Sequence, residues 1–241
     1  MTSLLKIQGV SKHFGGFTAL DGVSVEVKQG ERFGLIGPNG SGKTTLINCV
    51  SGSLRNEQGA IVFDGEDVTR LPAYQRTRRG IARSFQIPRP FRSMSVRENL
   101  IVPLEFVVHR RSLHRADVEG EALEILRGMG LGDKADTRCD QLSQVELRKL
   151  ELARAMAARP RLLISDEAMA GLSGSEVDEV LALLFKLNES GITIIMIEHI
   201  MQAVMRFSQR IICLDAGRII CEGTPESIVK DPHVQKAYLG A

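Results

Sequence analysis

Short apolar runs separated by polar turns dominate the first part of the chain and return in its last third. The runs rich in apolar and β-branched residues, which are typical of strands, are residues 4–10, 23–27, 32–36, 61–63, 81–85, 161–165, 193–197, 210–214 and 218–221. The Asp64-Gly65 pair after one of these runs predicts a hairpin with residues 67–68. The pattern therefore predicts many short strands.

Segments with helix-like spacing are residues 71–79, 96–102, 115–129, 143–158, 176–188, 200–207 and 231–239, and a further helix is expected to begin near Lys43. Three of them fall together between residues 86 and 158, whereas the later ones alternate with strands. Such alternation is typical of a mostly parallel sheet covered by helices. We therefore predict one α/β domain, with residues 1–85 and 159–241 as its core and residues 86–158 as a helical insertion.

Composition and charge narrow the class of protein. The 241 residues include 43% hydrophobic and 25% charged residues, which predicts a folded domain, and the net charge of +2 points neither to nucleic acid nor to an anionic surface. The four cysteines have no CxxC spacing, which argues against a disulfide framework and a zinc site. Residues 1–10 lack a signal-peptide pattern, and no run approaches the ~20 apolar residues that cross a bilayer. If the protein serves a membrane, we expect it to do so from outside the bilayer.

A glycine-rich loop follows the predicted strand at 32–36 and precedes a predicted helix. It consists of Gly37, Pro38, Asn39, Gly40, Ser41, Gly42, Lys43, Thr44 and Thr45 and matches the P-loop pattern. Backbone N–H groups of such a loop form an anion nest, and the helix N-terminus adds partial positive charge. We predict that Lys43 binds the outer phosphates of a nucleotide and that Thr44 is a ligand of Mg²⁺.

Two polar groups follow later apolar strands. Asp166 and Glu167 directly follow the run at 161–165. Alone, the two acids would indicate a solvated strand end. In a chain with a P-loop, we expect one to bind the water shell of Mg²⁺ and the adjacent one to orient the attacking water. His199 follows the run at 193–197, and a lone histidine there is usually structural. Beside a phosphate site, its imidazole would contact the terminal phosphate.

Five ordered motifs together resemble the nucleotide-binding subunits of ABC transporters over essentially the whole chain. They are the P-loop, Gln86 in segment 82–86, Leu142-Ser143, Asp166-Glu167 and His199. The resemblance implies a P-loop NTPase fold with a mostly parallel core sheet, an antiparallel β subdomain and an inserted helical subdomain. It also implies ATP hydrolysis with Mg²⁺.

The same resemblance implies the roles of individual residues. Glu167, His199 and Gln86 would be catalytic, and Gln86 would also approach Mg²⁺ together with Thr44 and Asp166. Phe14 would stack on adenine, with Phe17 as the alternative, although either ring could belong to the core. Ser143 would contact a nucleotide bound by a second subunit.

Segments 83–86, 90–92, 96–100, 169–172, 198–201, 222–225 and 238–240 are similar to the ATPases of branched-chain amino acid importers. This closer resemblance implies transmembrane permease subunits, a second ATPase subunit and, indirectly, an extracytoplasmic substrate-binding protein as partners. It implies a peripheral location on the cytoplasmic face of the inner membrane, without a nucleic-acid partner. The alternative is a soluble ABC-type ATPase acting on nucleic acid or in cluster assembly, but the chain has neither tandem ATPase domains nor a long coiled-coil insertion.

One motif departs from the family pattern. The signature Leu-Ser-Gly-Gly-Gln is replaced by Leu-Ser followed by Gln144, Val145 and Glu146. If the first glycine position needs positive φ, Gln144 costs on the order of 1 kcal/mol, and Glu146 repels phosphate if it points inward. We therefore expect a weakened signature and a heterodimer with one strong and one weak site. Lesser departures are Ser165, Ala168 and Ser173.

The segment from residue 70 to residue 115 is strongly basic, with eleven arginines against Glu98 and Glu105. Such a cluster serves nucleic acid, anionic lipid or an acidic partner, or it is simply a solvated face. Because it flanks Gln86 and lacks interleaved base-stacking aromatics, we favour docking to the permease.

Overall fold

The computed structural model describes residues 2–84, 89–108 and 115–239. Its strands are β1 (Ser3–Phe14), β2 (Phe17–Lys28), β3 (Arg32–Ile36), β4 (Gln58–Phe63), β5 (Glu66–Asp67), β6 (Ile81–Ser84), β7 (Leu162–Asp166), β8 (Thr193–Ile197), β9 (Arg210–Asp215) and β10 (Arg218–Gly223). Its α-helices are α1 (Lys43–Ser51), α2 (Ala73–Arg78), α3 (Val96–Pro103), α4 (Arg115–Gly128), α5 (Gln144–Met156), α6 (Gly174–Glu189), α7 (Met201–Phe207), α8 (Pro225–Lys230) and α9 (Pro232–Leu239). The alternating pattern thus identified most elements.

The larger sheet has the strand order β10-β9-β3-β8-β7-β6. Its strands pair in parallel except for β10, which is antiparallel to β9. Strands β7 and β8 are buried along their whole length, which explains their near-continuous apolar sequence. This sheet confirms the prediction of a mostly parallel core.

The smaller sheet is antiparallel, with the order β2-β1-β4-β5. Strands β1 and β2 form one long hairpin in which Phe14 pairs with Phe17 across the Gly15-Gly16 turn. The apolar pattern predicted only residues 4–10 and 23–27 of these strands. Beyond Val10 the hairpin loses its regular burial, so backbone pairing continues where the hydrophobic signal stops.

Helices α3, α4 and α5 lie between β6 and β7, as predicted, and a π-helical turn at Leu104–Val108 follows α3. One apolar core runs from these helices, through Leu126 and Leu150, to Leu163 and Met196 of the larger sheet. Helix α8 was not predicted, although Thr224 at its N-cap and Pro225 at its first turn are typical helix-start signals. No helix within the described ranges is both long and apolar enough to cross a membrane.

Several arginines of the basic segment are engaged inside the chain. Arg76 is 1% exposed and donates to four backbone carbonyl oxygens, including those of Cys49 and Val50. Further arginines of this segment form salt bridges: Arg79 with Glu66, Arg83 with Asp166, and Arg97 with Asp136. The segment therefore presents much less free positive charge than its sequence indicates.

Candidate active site

The glycine-rich loop leads from β3 into α1, as the sequence predicted. Gly37 has φ 149°, and a Cβ atom there would lie 2.2 Å from the carbonyl oxygen of Leu214. Gly42 has φ 107°, and a Cβ atom there would lie 2.6 Å from the carbonyl oxygen of Ala19. Both positions therefore require glycine for conformation and for space.

The start of α1 offers positive electrostatic potential. Its N-cap residue, Gly42, has no side chain to satisfy the first N–H groups of the helix, and such groups bind phosphate readily. The buried Lys43 ammonium donates to the carbonyl oxygens of Gly37 (2.6 Å) and Pro38 (3.0 Å). Burial lowers the pKa of Lys43, while Glu167 and other acidic groups nearby oppose the shift.

A surface cavity of about 250 Å³ brings most of the predicted site residues together. It is lined by Phe14, Phe17, Ala19, Asn39, Gly40, Ser41, Gly42, Lys43, Thr44, Thr45, Glu167 and His199. Both candidate adenine-stacking rings are half exposed at the hairpin tip, with 50% of Phe14 and 61% of Phe17 accessible. The P-loop, the two phenylalanines and two candidate catalytic groups thus share one cavity.

Glu167 occupies a constrained position directly after β7. Its backbone has φ 49°, uncommon for a residue other than glycine, and its N–H donates to the carbonyl oxygen of Ile197 (2.8 Å). Its Oε1 atom lies 2.9 Å from Nε2 of His199. Backbone strain of this kind clusters at functional sites. The pair has the composition and spacing of a general base with an orienting partner.

Asp166 is buried at the end of β7 and is bound by Arg83, which lies outside the predicted site residues. Nη2 of Arg83 donates to Oδ2 of Asp166 at 2.6 Å, and Nη1 donates to Oδ1 of Asn48 on α1 at 2.6 Å. Arg83 therefore links α1, β6 and β7. Its position three residues before Gln86 was the available signal.

Glu198 was also missed as a site residue. It is 2% exposed, and its Oε1 accepts a hydrogen bond from the backbone N–H of Met169 at 2.8 Å. Burial raises the pKa of Glu198 to about 7. The residue connects the segment after Glu167 to the segment that carries His199. An acid between a fully apolar strand and a candidate catalytic histidine was the sequence signal.

Ser143 is the N-cap of α5 and is not among the described residues that line the cavity. Its N–H donates to Oε2 of Glu146 (2.8 Å) and its Oγ accepts from the N–H of Glu146 (3.4 Å), forming a capping box. Glu146 also pairs with Lys134 at 2.7 Å. Gln144 begins the helix without positive φ, so the backbone strain considered for this position does not occur.

Gln86 lies outside the described residues. Within those residues, no group of three or more His, Cys, Asp or Glu side chains could hold a metal ion. A P-loop Mg²⁺ site needs no such cluster, because nucleotide oxygens and water supply most ligands. The Thr44 hydroxyl and the Asp166 carboxylate are hard oxygen donors, the class that Mg²⁺ prefers, so the residues present fit the ion.

Two family models match the chain. Residues 20–170 match the model described as ABC transporter, and residues 218–241 match the one described as branched-chain amino acid ATP-binding cassette transporter. A solved nucleotide-free ATP-binding cassette from an ABC transporter is 31% identical and superposes with a TM-score of 0.90, covering 100% of both chains. A solved cassette of an ABC transporter in its ADP conformation gives a TM-score of 0.89 at 29% identity, again with 100% coverage of both.

Curated relatives match over nearly the full length. The chain is 38% identical to the high-affinity branched-chain amino acid transport ATP-binding protein BraF of Pseudomonas aeruginosa, with 98% of each protein covered. It is 37% identical to LivG of Escherichia coli, a protein described in the same words, again with 98% of each covered. Because sequence, fold and loop arrangement all agree, the chain belongs to the ABC transporter family as an ATP-binding subunit, an ATPase that drives transport, in the group of the branched-chain amino acid transport ATP-binding proteins.

Proposed function

We propose that this chain hydrolyses ATP to energise a multi-subunit importer of branched-chain or related amino acids. The observation that carries the hydrolysis step is the cavity on which the P-loop, Glu167 and His199 meet. The substrate class is supported by two relatives, both named as branched-chain amino acid transport ATP-binding proteins, whose alignments cover 98% of the chain. Import rather than export is likewise an inference from this group.

The roles of the phosphate-site residues follow from their chemistry. Lys43 and the first N–H groups of α1 bind the phosphates of ATP. Glu167 orients the attacking water and accepts its proton as the water oxygen bonds to the γ-phosphorus and the bridging P–O bond to the β-phosphate breaks, which releases ADP and inorganic phosphate. His199 fixes the carboxylate and contacts the terminal phosphate. Thr44 and Asp166, together with Gln86, would hold Mg²⁺, which supplies charge neutralisation at the phosphates.

A second ATPase subunit is part of the proposal. Ser143 lies outside the chain's own cavity, as expected if the signature of each subunit completes the other subunit's site. A solved post-hydrolysis cassette bound to ADP and Pi, 27% identical with a TM-score of 0.83, is dimeric. The departures at Gln144, Val145 and Glu146 favour a heterodimer with unequal sites.

The membrane subunits dock, in this proposal, in a groove between α2, β6 and the helices that follow β6. Ala82, Pro103, Val107 and Ala155 give the groove apolar patches, and Arg154 lines it as an ion pair with Glu151 at 3.1 Å. Phe106, 47% exposed, stands next to it in sequence. In this proposal, the chain lies on the cytoplasmic face of the inner membrane. It meets an extracytoplasmic substrate-binding protein only through the permease.

Docking can be tested with two exposed apolar residues. Phe106→Glu should reduce co-purification of the membrane subunits with the chain, whereas Val229→Glu, which charges a similarly exposed position on α8, should not. Equal recovery of membrane subunits with both variants would reject this groove as the docking site.

The transport function is tested in cells whose own copy carries Glu167→Gln. Uptake of labelled leucine, isoleucine and valine should fall to background, while uptake of an unrelated solute such as glucose stays unchanged. Purified Glu167→Gln protein should still bind ATP. Normal branched-chain amino acid uptake in these cells, with ATPase activity abolished, would overturn the substrate assignment but leave the ATPase assignment intact.

A further inference from the structure

The last helix of the described chain reaches the P-loop. The phenolic oxygen of Tyr238 on α9 accepts a hydrogen bond from the backbone N–H of Gly37 at 2.8 Å. Gly37 is buried and opens the loop, 201 positions away along the sequence. A buried backbone N–H that loses its partner is costly, so this contact has energetic weight.

Helix α9 is fixed independently of this bond. Val234 is buried against the apolar core, and the Oδ1 atom of Asp231 accepts from the N–H groups of His233 (2.8 Å) and Val234 (3.1 Å) at the start of the helix. The Sγ of Cys221 on β10 donates to the other carboxylate oxygen of Asp231 at 3.2 Å. The helix is therefore anchored to β10 and presents Tyr238 to the loop from a defined position.

The conformation of Gly37 makes the loop sensitive to this contact. With φ 149° and the Leu214 carbonyl beside it, the residue has little room to move. The Gly37 carbonyl oxygen accepts from the Lys43 ammonium at 2.6 Å. Tyr238 thus binds the N–H of Gly37 and Lys43 binds its carbonyl oxygen. Because both contacts involve one residue, a shift of the Tyr238 hydroxyl is expected to change the position of the Lys43 ammonium.

We propose that Tyr238 is a positioning residue of the nucleotide site, which holds the start of the P-loop in its phosphate-binding form through the Gly37 N–H. The inference rests on nucleotide binding at the P-loop, and it adds a residue outside the five family motifs. By reciprocity, nucleotide at the P-loop stabilises the docked position of α9, because a coupling between two equilibria acts in both directions.

The chain offers a matched control for the test, because Tyr74 is its only other tyrosine. Tyr238→Phe keeps the ring and removes the acceptor oxygen of the Gly37 contact, whereas Tyr74→Phe removes the same atom from another exposed ring, on α2. Isothermal titration with ADP should give a roughly five- to tenfold higher Kd for Tyr238→Phe and an unchanged Kd for Tyr74→Phe. In ATP turnover, KM should rise by a similar factor with little change in kcat.

A second measurement uses the absence of tryptophan from the sequence. In the Tyr74→Phe protein, Tyr238 is the only tyrosine, so intrinsic tyrosine fluorescence reports its phenol directly. Titration with ADP should change this fluorescence, with a midpoint equal to the calorimetric Kd.

The proposal would be overturned if folded Tyr238→Phe protein bound ADP with unchanged affinity and the tyrosine fluorescence of the Tyr74→Phe protein did not change at saturating ADP. If Tyr238 had only a structural role, Tyr238→Phe would lower the unfolding temperature without changing the Kd for ADP or the KM for ATP. Failure of the proposed nucleotide site itself would look different, because the unmodified chain would then not bind ADP and Lys43→Ala would make no difference.

Discussion

Nε2 of His199 lies 2.9 Å from Oε1 of Glu167, and the two residues follow adjacent parallel strands of the larger sheet. The carboxyl ends of parallel strands share one edge, which explains how residues 32 positions apart meet. The Glu167 backbone, with φ 49°, also donates its N–H to the carbonyl oxygen of Ile197, which fixes the point from which the side chain extends toward His199. The pair should therefore behave as one unit in catalysis.

Glu167→Gln removes the proposed base, and we expect kcat to fall by about a hundredfold or more with nucleotide affinity retained. His199→Ala removes the orienting partner and should also lower kcat. The double variant should lose little beyond Glu167→Gln, since residues that act together are not additive. Steady-state ATP turnover of the wild type, the two single variants and the double variant gives a double-mutant cycle. Fully additive losses would show that the two groups act independently.

Phe14 and Phe17 both line the cavity, and nucleotide affinity can separate them. Stacking of a base on an aromatic ring contributes about 1–3 kcal/mol, so Phe14→Ala should raise the Kd for ATP by roughly tenfold. Phe17→Ala is the matched control at the paired position of the hairpin and should have a smaller effect. Phe14→Tyr should retain affinity because it keeps the ring. The reverse ranking of the two alanine variants would assign the stacking role to Phe17.

The sequence predicted elements where pattern and burial coincide. Strands β7 and β8, fully buried, and the P-loop with its following helix were identified from local residues. The outer part of the β1–β2 hairpin was missed because its pairing is made by backbone groups, which leave no apolar signal.

The site was predictable to the extent that its residues form contiguous motifs. Tyr238 and Arg83 were missed as site residues because their roles depend on contacts with residues 201 and 83 positions away. The free positive charge of the basic segment was overestimated, because a count of arginines in the sequence cannot distinguish the buried Arg76 from a solvated arginine. For all three residues, contacts with partners far away in the sequence determine the role of the side chain, and residue type alone does not reveal them.

The capping box at the signature places a carboxylate at the N-terminus of α5. The Glu146 carboxylate, which is also paired with Lys134, accepts the hydrogen bond of the Ser143 N–H and so occupies the helix end that a second subunit's nucleotide would use. Glutamine can keep the capping-box hydrogen bonds without the charge. We therefore expect Glu146→Gln to raise ATP turnover of the assembled dimer several-fold, and Gln144→Gly with Val145→Gly to raise it as well.

Glu98→Gln is the matched control, since Ser95 and Glu98 form the same capping box on α3. Both glutamine variants should lose less than about 1 kcal/mol of stability, but only Glu146→Gln should change turnover. If none of these substitutions in the signature raises ATP turnover, the native signature is competent. The proposal of a heterodimer with unequal sites would then have to be abandoned.

The buried carboxyl of Glu198 should give the protein a distinctive pH dependence. Burial raises its pKa from the ordinary value of 4.5 to about 7, so between these values the folded state holds a proton that the unfolded state releases. Stability contributed by this group is therefore present below about pH 4.5 and is lost as the pH rises through about 7. Glu198→Gln can keep the Met169 contact without titrating. Relative to the wild type, its free energy of unfolding should rise by up to about 3 kcal/mol between about pH 4.5 and pH 8.

Denaturant unfolding across that range measures this difference, with Glu189→Gln, an exposed position at the end of α6, as the control. The control should track the wild type at every pH. The nearby charges of Arg148 and Glu167 shift the pKa of Glu198 in opposite directions, so neither alone reverses the sign of the effect. A constant difference between wild type and Glu198→Gln would mean that Glu198 stays ionised when buried. Its carboxylate would then be held by charge compensation, and loss of Arg148 would destabilise the wild type far more than the glutamine variant.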